Sequence, residues 1–180
     1  AMRLYQIDAF TPEPFRGNPA AVCLLDAPRP DDWLRAVAAE MNLSETAFPL
    51  REGARWRLRW FTPATEVSLC GHATLATAHA LWSEGYAPVG EPLYFDTRSG
   101  ELVARWRDGW IELDFPARRV EPVAPDSEIA AALGVSPLGV YCAAWSGGST
   151  YLIEVAAAAT VRAATPDYAA LLRTNARAAI

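Results

Sequence analysis

Three short segments combine residue types that can move protons or bind acids. In Met41-Asn42-Leu43-Ser44-Glu45-Thr46-Ala47-Phe48 a single carboxylate stands among apolar and hydroxyl residues, directly after a helical pattern. Burial there would raise the pKa of Glu45 toward the range useful for proton transfer at neutral pH. The alternative is a surface Glu45 that caps the turn together with Ser44. The second segment, from Thr65 to Thr74, places Cys70, Gly71, His72, Ala73 and Thr74 at the start of an apolar helix. Unpaired backbone N–H groups and the positive end of the helix dipole suit a substrate carboxylate, and Gly71 lets it approach the backbone. His72 at such an end is biased toward its neutral form. The alternative is an ordinary helix capped by Ser68 or Thr65, with His72 satisfying a backbone carbonyl. In the third segment, Phe15-Arg16-Gly17-Asn18-Pro19-Ala20-Ala21-Val22, the Asn18 amide can orient a polar substrate, although Gly-Asn-Pro is equally good turn chemistry.

Cys70 is a possible thiol nucleophile or base, because a helix N-terminus can acidify it; a buried, inert cysteine is the alternative. Cys23 and Cys142 lie in apolar or strand contexts. The three cysteines are widely spaced and include no C-x-x-C pair, which fits neither a disulfide framework nor a zinc motif. His72 and His79 would stand two turns, about 10 Å, apart on one helix. They cannot share an ion, so no metal site is expected, and His79 reads as a satisfied core histidine. Arg55, Arg57 and Arg59 read as a solvated strand face and receive no role.

These residues need elements to hold them. Strands are expected at residues 4–9 and 20–25, flanking the loop with Gly17. Pro30 and Asp31 open a helix with Trp33, Leu34, Val37, Ala38 and Met41 at helical spacing, stopped by Asn42. Trp56, Leu58 and Trp60 alternate with arginines as in a half-buried strand over 55–61. Residues 67–82 have almost no polar face and read as a buried helix at the centre of a curled sheet, ended by Gly85. Residues 102–107 and 110–115 flank Asp108-Gly109, a type I′ hairpin turn. A linker with Pro116, Pro122 and Pro125 marks a domain boundary. Beyond it come a helix over 127–133 closed by Gly134, strands at 140–145 and 150–155 around Gly147-Gly148, and an Ala-rich helix introduced by Pro166 and Asp167, with no further strand. About 65 residues are a thin basis for a core, so this second unit reads as incomplete.

Composition narrows the partners. A 180-residue chain that is 52% hydrophobic builds real cores. A net charge of -5 with scattered arginines offers no track for nucleic acid. All 16 Lys+Arg residues are Arg, so neither a Schiff-base nor a P-loop lysine is present. No apolar run reaches the ~20 residues of a membrane span. A cytoplasmic protein is expected, with no membrane partner.

Asp8-Ala9-Phe10, the segment from Phe15 to Val22, Asn42 to Phe48, and Arg59-Trp60-Phe61-Thr62-Pro63 continuing through Glu66, Cys70, Gly71, His72, Ala73 and Thr74 together resemble the phenazine-biosynthesis-type (PhzF-like) isomerases. The likeness continues through Leu113-Asp114-Phe115-Pro116. It implies an α+β, diaminopimelate-epimerase-like fold, in which two pseudo-symmetric domains each wrap a curled, mainly antiparallel sheet around a central helix and enclose a cleft. On that likeness residues 1–116 form the N-terminal domain and 117–180 part of the second. It assigns Glu45 as general acid/base and the Gly71-His72 pair to substrate binding; Asn18, Ser44, Ala73 and Thr74 join them as substrate-binding candidates from the segments themselves. A homodimer is compatible with it, and no cofactor is implied. The family's second Gly-rich acidic segment has no match here, so half of the cleft is expected to be missing. Cys70 occupies the place of the catalytic thiol of diaminopimelate epimerases, but those enzymes follow the next Gly with Asn, where this chain has His72.

Three functions follow. The first is an isomerase in which Glu45 carries a proton between carbons of a small cyclic or amino-acid-like carboxylate. The second is a Cys70 thiol-dependent epimerase or racemase. The third is a non-catalytic ligand-binding protein of the same fold.

Overall fold

The computed structural model describes every residue except Ala1, Arg118, Pro125, Asp126, Ser146 and Gly147. The expected roles of Pro125 in the linker and Gly147 in a turn lie outside the described residues. The chain divides into two compact units, Ala1–Pro116 and Ala117–Ile180.

The first unit begins with β1 (Arg3–Ala9), β2 (Asn18–Leu24), α1 (Asp31–Met41), β3 (Thr46–Glu52) and β4 (Arg55–Phe61). It continues through β5 (Glu66–Val67), α2 (Gly71–Ser83), β6 (Leu93–Thr97), β7 (Gly100–Arg107) and β8 (Trp110–Asp114). The sheet order is β1-β2-β3-β4-β6-β7-β8, with β5 on β4. Only the β2–β3 and β4–β6 pairs are parallel. Strands β1 and β8 are the two ends of this order, yet both pack on α2. A flat sheet could not bring them to one helix, so the sheet curls around it. The mainly antiparallel sheet wrapped on a central buried helix is therefore present.

Alternation on β4 follows from this. Trp56, Leu58 and Trp60 point to α2 in the inner core, and the intervening arginines point away. On the outer face α1 lays Leu34 and Ala38 over Cys23, Phe48, Leu50 and Phe61. Strands β2 and β3 are thus covered on both sides.

Three local features differ from expectation. The central helix starts at Gly71, not at Val67, because residues 66–67 pair with β4 and Cys70 is extended, with φ -146°. Neither Ser68 nor Thr65 caps it; the Cys70 carbonyl accepts from the Thr74 N–H at 3.2 Å and the Thr74 hydroxyl at 2.6 Å. His79 is exposed rather than a core histidine. Strand β3 arises over residues to which the sequence assigned no element. It tolerates Pro49 because that residue's carbonyl accepts from Leu25 N–H on the β2 side. The N and C=O of one strand residue point the same way, so the missing N–H costs no bond to β4.

The other elements expected in the first unit are present. Asn42 closes α1 with φ 51°, and Asp108 and Gly109 turn the β7–β8 hairpin with φ 50° and 84°, both positive as type I′ requires.

The second unit comprises β9 (Glu121–Pro122), α3 (Ser127–Leu133), β10 (Gly139–Trp145), β11 (Gly148–Glu154), α4 (Ala158–Ala163), α5 (Tyr168–Leu171) and β12 (Ala176–Ala179). Its sheet runs β12-β11-β10-β9 over a small core of Ile129, Val140 and Ile153. The helix introduced by Asp167 is present as a single turn, and a separate Ala-rich helix stands before Pro166. One expectation fails here. A last strand, β12, does follow and pairs parallel with β11. The run Ala-Arg-Ala-Ala carries little apolar signal, and only the neighbouring strand makes it a strand. Among the described residues no helix is long and apolar enough to cross a membrane.

Candidate active site

Glu45 sits where α1 has ended and β3 is about to begin. Its carbonyl accepts from Ala21 N–H of β2 at 3.4 Å, which ties the residue to the centre of the sheet. His72 lies in the first turn of α2, the helix that the sheet wraps. The curl brings the two together: His72 Nε2 is 3.5 Å from Glu45 Oε2 and 3.2 Å from Ser44 Oγ. On the other side of the ring, Nδ1 lies 3.4 Å from Cys70 Sγ. Four sequence-selected side chains thus share one place. Glu45 retains 20% side-chain exposure against 10% for His72, so the carboxylate is the more accessible member of the pair.

Protonation orders this chain of contacts. Burial pushes the Cys70 thiol up to about 12, against the pull of the Ala73 amide and with a further push from the Glu45 charge. Burial also pushes His72 below its ordinary value, with Glu45 acting in the opposite direction. At neutral pH the thiol therefore keeps its proton and the imidazole is neutral. In the tautomer whose Nδ1 accepts from the S–H, the ring proton stands on Nε2, between Ser44 and Glu45.

The helix end is narrower than the sequence implied. The Thr74 N–H already makes the first helical bond, to Cys70, and its hydroxyl is spent on the same carbonyl. Thr74 is fully buried, as is Ala73, whose amide acts on Cys70. Thr74 therefore offers neither its amide nor its hydroxyl to a ligand. That leaves the amides of Gly71 and His72 without an intrahelical acceptor. A side chain at Gly71 would meet only the Phe115 ring, at 3.6 Å, an ordinary contact, so packing does not demand glycine there. Asn18 is exposed at the first position of β2, opposite Ala9, three residues before Ala21.

The arginine face is not a bare solvated one. Arg59 holds Glu66 through two 2.8 Å contacts, and Arg98 reaches the same carboxylate at 2.7 Å. Arg59 also reaches Asp31 of α1 at 2.9 Å. Together with the 2.8 Å bond from Ser99 Oγ to Ser68 carbonyl, this pins the segment leading into α2. Arg55 pairs with Asp96 and Glu101, and Arg57 with Glu52. Sequence reasoning passed over Thr46, which is fully buried beside Glu45 with no partner for its Oγ1 among the described residues. A hydroxyl inside the Ser-Glu-Thr run was its only signal.

Comparison with known proteins identifies the fold and the family. The chain is 46% identical over 181 residues to an uncharacterized isomerase of Halalkalibacterium halodurans, across 98% of this chain and 66% of the relative. It superposes on the crystal structure of a PhzF-family phenazine biosynthesis protein from Enterococcus faecalis with a TM-score of 0.82 at 39% identity, covering 96% of this chain and 64% of that one. A predicted epimerase from Pseudomonas aeruginosa shares the fold with a TM-score of 0.73 at 23% identity, over 99% of this chain and 69% of that one. The architecture is thus diaminopimelate-epimerase-like. The chain spans just under two thirds of the length of the relative from Halalkalibacterium. The profile of the phenazine biosynthesis-like proteins (PhzC-PhzF) matches residues 7–180, and the chain belongs to that family.

Proposed function

We propose that this chain carries the acid/base half of a cofactor-independent isomerase acting on a small cyclic or amino-acid-like carboxylate. The observation that carries the reading is the Glu45 carboxylate, partly accessible, 3.5 Å from a neutral His72 at the start of the central helix. The amides of Gly71 and His72 bind the substrate carboxylate and stabilise charge that develops beside it. Glu45 takes the proton from one carbon and returns it to another, while the His72 Nε2–H, fixed from behind by Cys70, orients Glu45. Ser44 shares that hydrogen, and Asn18 lines the approach along β2. Residues 1–116 act as the N-terminal epimerase-like domain and 117–180 as part of the second. The three free cysteines fit a reducing cytoplasm.

The thiol mechanism is the weaker reading, because a thiol pushed up to about 12 holds almost no thiolate at neutral pH. Deuterium incorporation from heavy water into cyclic and amino-acid carboxylates tests the proposal. Glu45→Gln lowers exchange by about 10²–10⁴-fold, with binding nearly unchanged, because the amide keeps the shape and cannot cycle a proton. Exchange in the mutant at the wild-type rate rejects it.

A further inference from the structure

We propose that Glu45, Cys70 and His72 form a binding site for a thiophilic divalent cation of the Zn²⁺ class, and that its occupation withdraws Glu45 from proton transfer. The spacing of His72 and His79 argued against a shared metal; the relevant set is a different one, assembled by the fold. One ligand atom from each of the three residues lies within 4.8 Å of the other two. A tetrahedral Zn²⁺ bound by sulfur, nitrogen and oxygen holds its ligand atoms about 3.4–3.6 Å apart. The observed Sγ–Nδ1 separation is 3.4 Å, and the Nε2–Oε2 separation is 3.5 Å. The ion takes one ring nitrogen only, so Nδ1 ligation needs Glu45 to swing toward Cys70, whose sulfur already lies within 4.8 Å of a Glu45 carboxylate oxygen.

The donor chemistry selects the ion. A thiol, an imidazole and one carboxylate favour Zn²⁺ over Mg²⁺ or Ca²⁺, which prefer oxygen. Ser44 Oγ, 3.2 Å from Nε2, supplies the outer contact that holds the ring with Nδ1 facing the thiol. Coordination replaces the S–H bond by a sulfur–metal bond, and the thiol proton leaves to solvent. Three protein ligands leave a fourth position open to water or a carboxylate. Binding of the ion does not depend on the isomerase reading.

The test is a Zn²⁺ titration of the intact chain against a chromophoric chelator, joined to Co²⁺ substitution. One Zn²⁺ per chain is expected, with at least tenfold weaker binding in Cys70→Ser. The Co²⁺ protein shows a thiolate-to-metal charge-transfer band in the near ultraviolet that survives in Cys142→Ser and disappears in Cys70→Ser. A Co²⁺ complex without that band, or a band that survives Cys70→Ser, overturns the proposal. Should Cys70→Ser fail to fold, Glu45→Ala decides: a tenfold loss of Zn²⁺ affinity supports the site, and unchanged affinity overturns it.

Discussion

The imidazole of His72 bridges Cys70 and Glu45, with Nδ1 3.4 Å from the sulfur and Nε2 3.5 Å from the carboxylate. A residue in the first turn of a buried helix thereby couples the thiol just before that helix to a carboxylate from the segment that leads into β3. With Nδ1 accepting from the protonated thiol, the hydrogen on Nε2 faces Glu45.

That protonation state has a pH signature. Cys70 is raised from 9.0 to about 12 and Cys23 from 9.0 to about 11, both by burial. A raised folded pKa means that the stability is fully present below pH 9 and is lost as pH climbs toward the folded values. For Cys70 the loss is about 1.4 kcal/mol per pH unit across that window. Denaturant midpoints measured between pH 8 and 11 show this decline, and Cys70→Ala makes it shallower while the Cys23 share remains. A decline of equal slope in Cys70→Ala would contradict the assignment.

His72 predicts the opposite flank. Its folded pKa is lowered, so its neutral burial contributes stability above the ordinary value of 6.5, and this is lost as pH falls through the folded pKa. His72→Gln removes this acid sensitivity, read as the ratio of unfolding midpoints at pH 7 and pH 5. If the ratio matches that of the wild type, the histidine is not the group responsible.

Two arginines on one strand should behave differently. Glu66 is only 9% exposed and depends on Arg59, whereas Arg55 and its partners are open to solvent. Arg59→Met destabilises the chain by about 2 kcal/mol, less than for a fully buried pair because Arg98 still faces Glu66. Arg55→Met shifts the urea midpoint far less. Equal shifts for both variants would show that the Glu66 clamp has no special weight.

At the helix end, Gly71→Ala folds normally, because its methyl meets Phe115 at an ordinary distance. Gly71→Val places a branched group over the amides of Gly71 and His72, and titration calorimetry with a small cyclic acid then shows at least tenfold weaker binding. Unaltered affinity in Gly71→Val moves the carboxylate site elsewhere.

Thr46→Val replaces an unpartnered, fully buried hydroxyl by a methyl group of the same shape. Stability rises by about 1 kcal/mol in chemical denaturation, since no hydrogen bond is lost and a desolvated oxygen is removed. A loss of similar size would mean that the hydroxyl finds a partner in solution.

Much was legible in the sequence because it is written in local patterns. The alternation of Trp56, Leu58 and Trp60 marks an inward strand face, and Asp108-Gly109 marks a hairpin. The all-apolar run ending at Trp82 marks a buried helix, although not its first residue. That boundary was decided by β5 pairing with β4, a contact that no propensity of Glu66 or Val67 announces. Strand β3 was hidden for a related reason: burial on both faces erases alternation, and Pro49 argues against a strand until the direction of its missing N–H is known. The residue types of the site could be chosen from sequence, since few groups move protons at neutral pH. Their relationship could not. Residues 44–45 and 70–72 are more than twenty positions apart, and only the curling of the sheet around α2 sets His72 between them. Burial, which keeps the Cys70 proton in place and His72 neutral, belongs to the whole fold and to no segment of it.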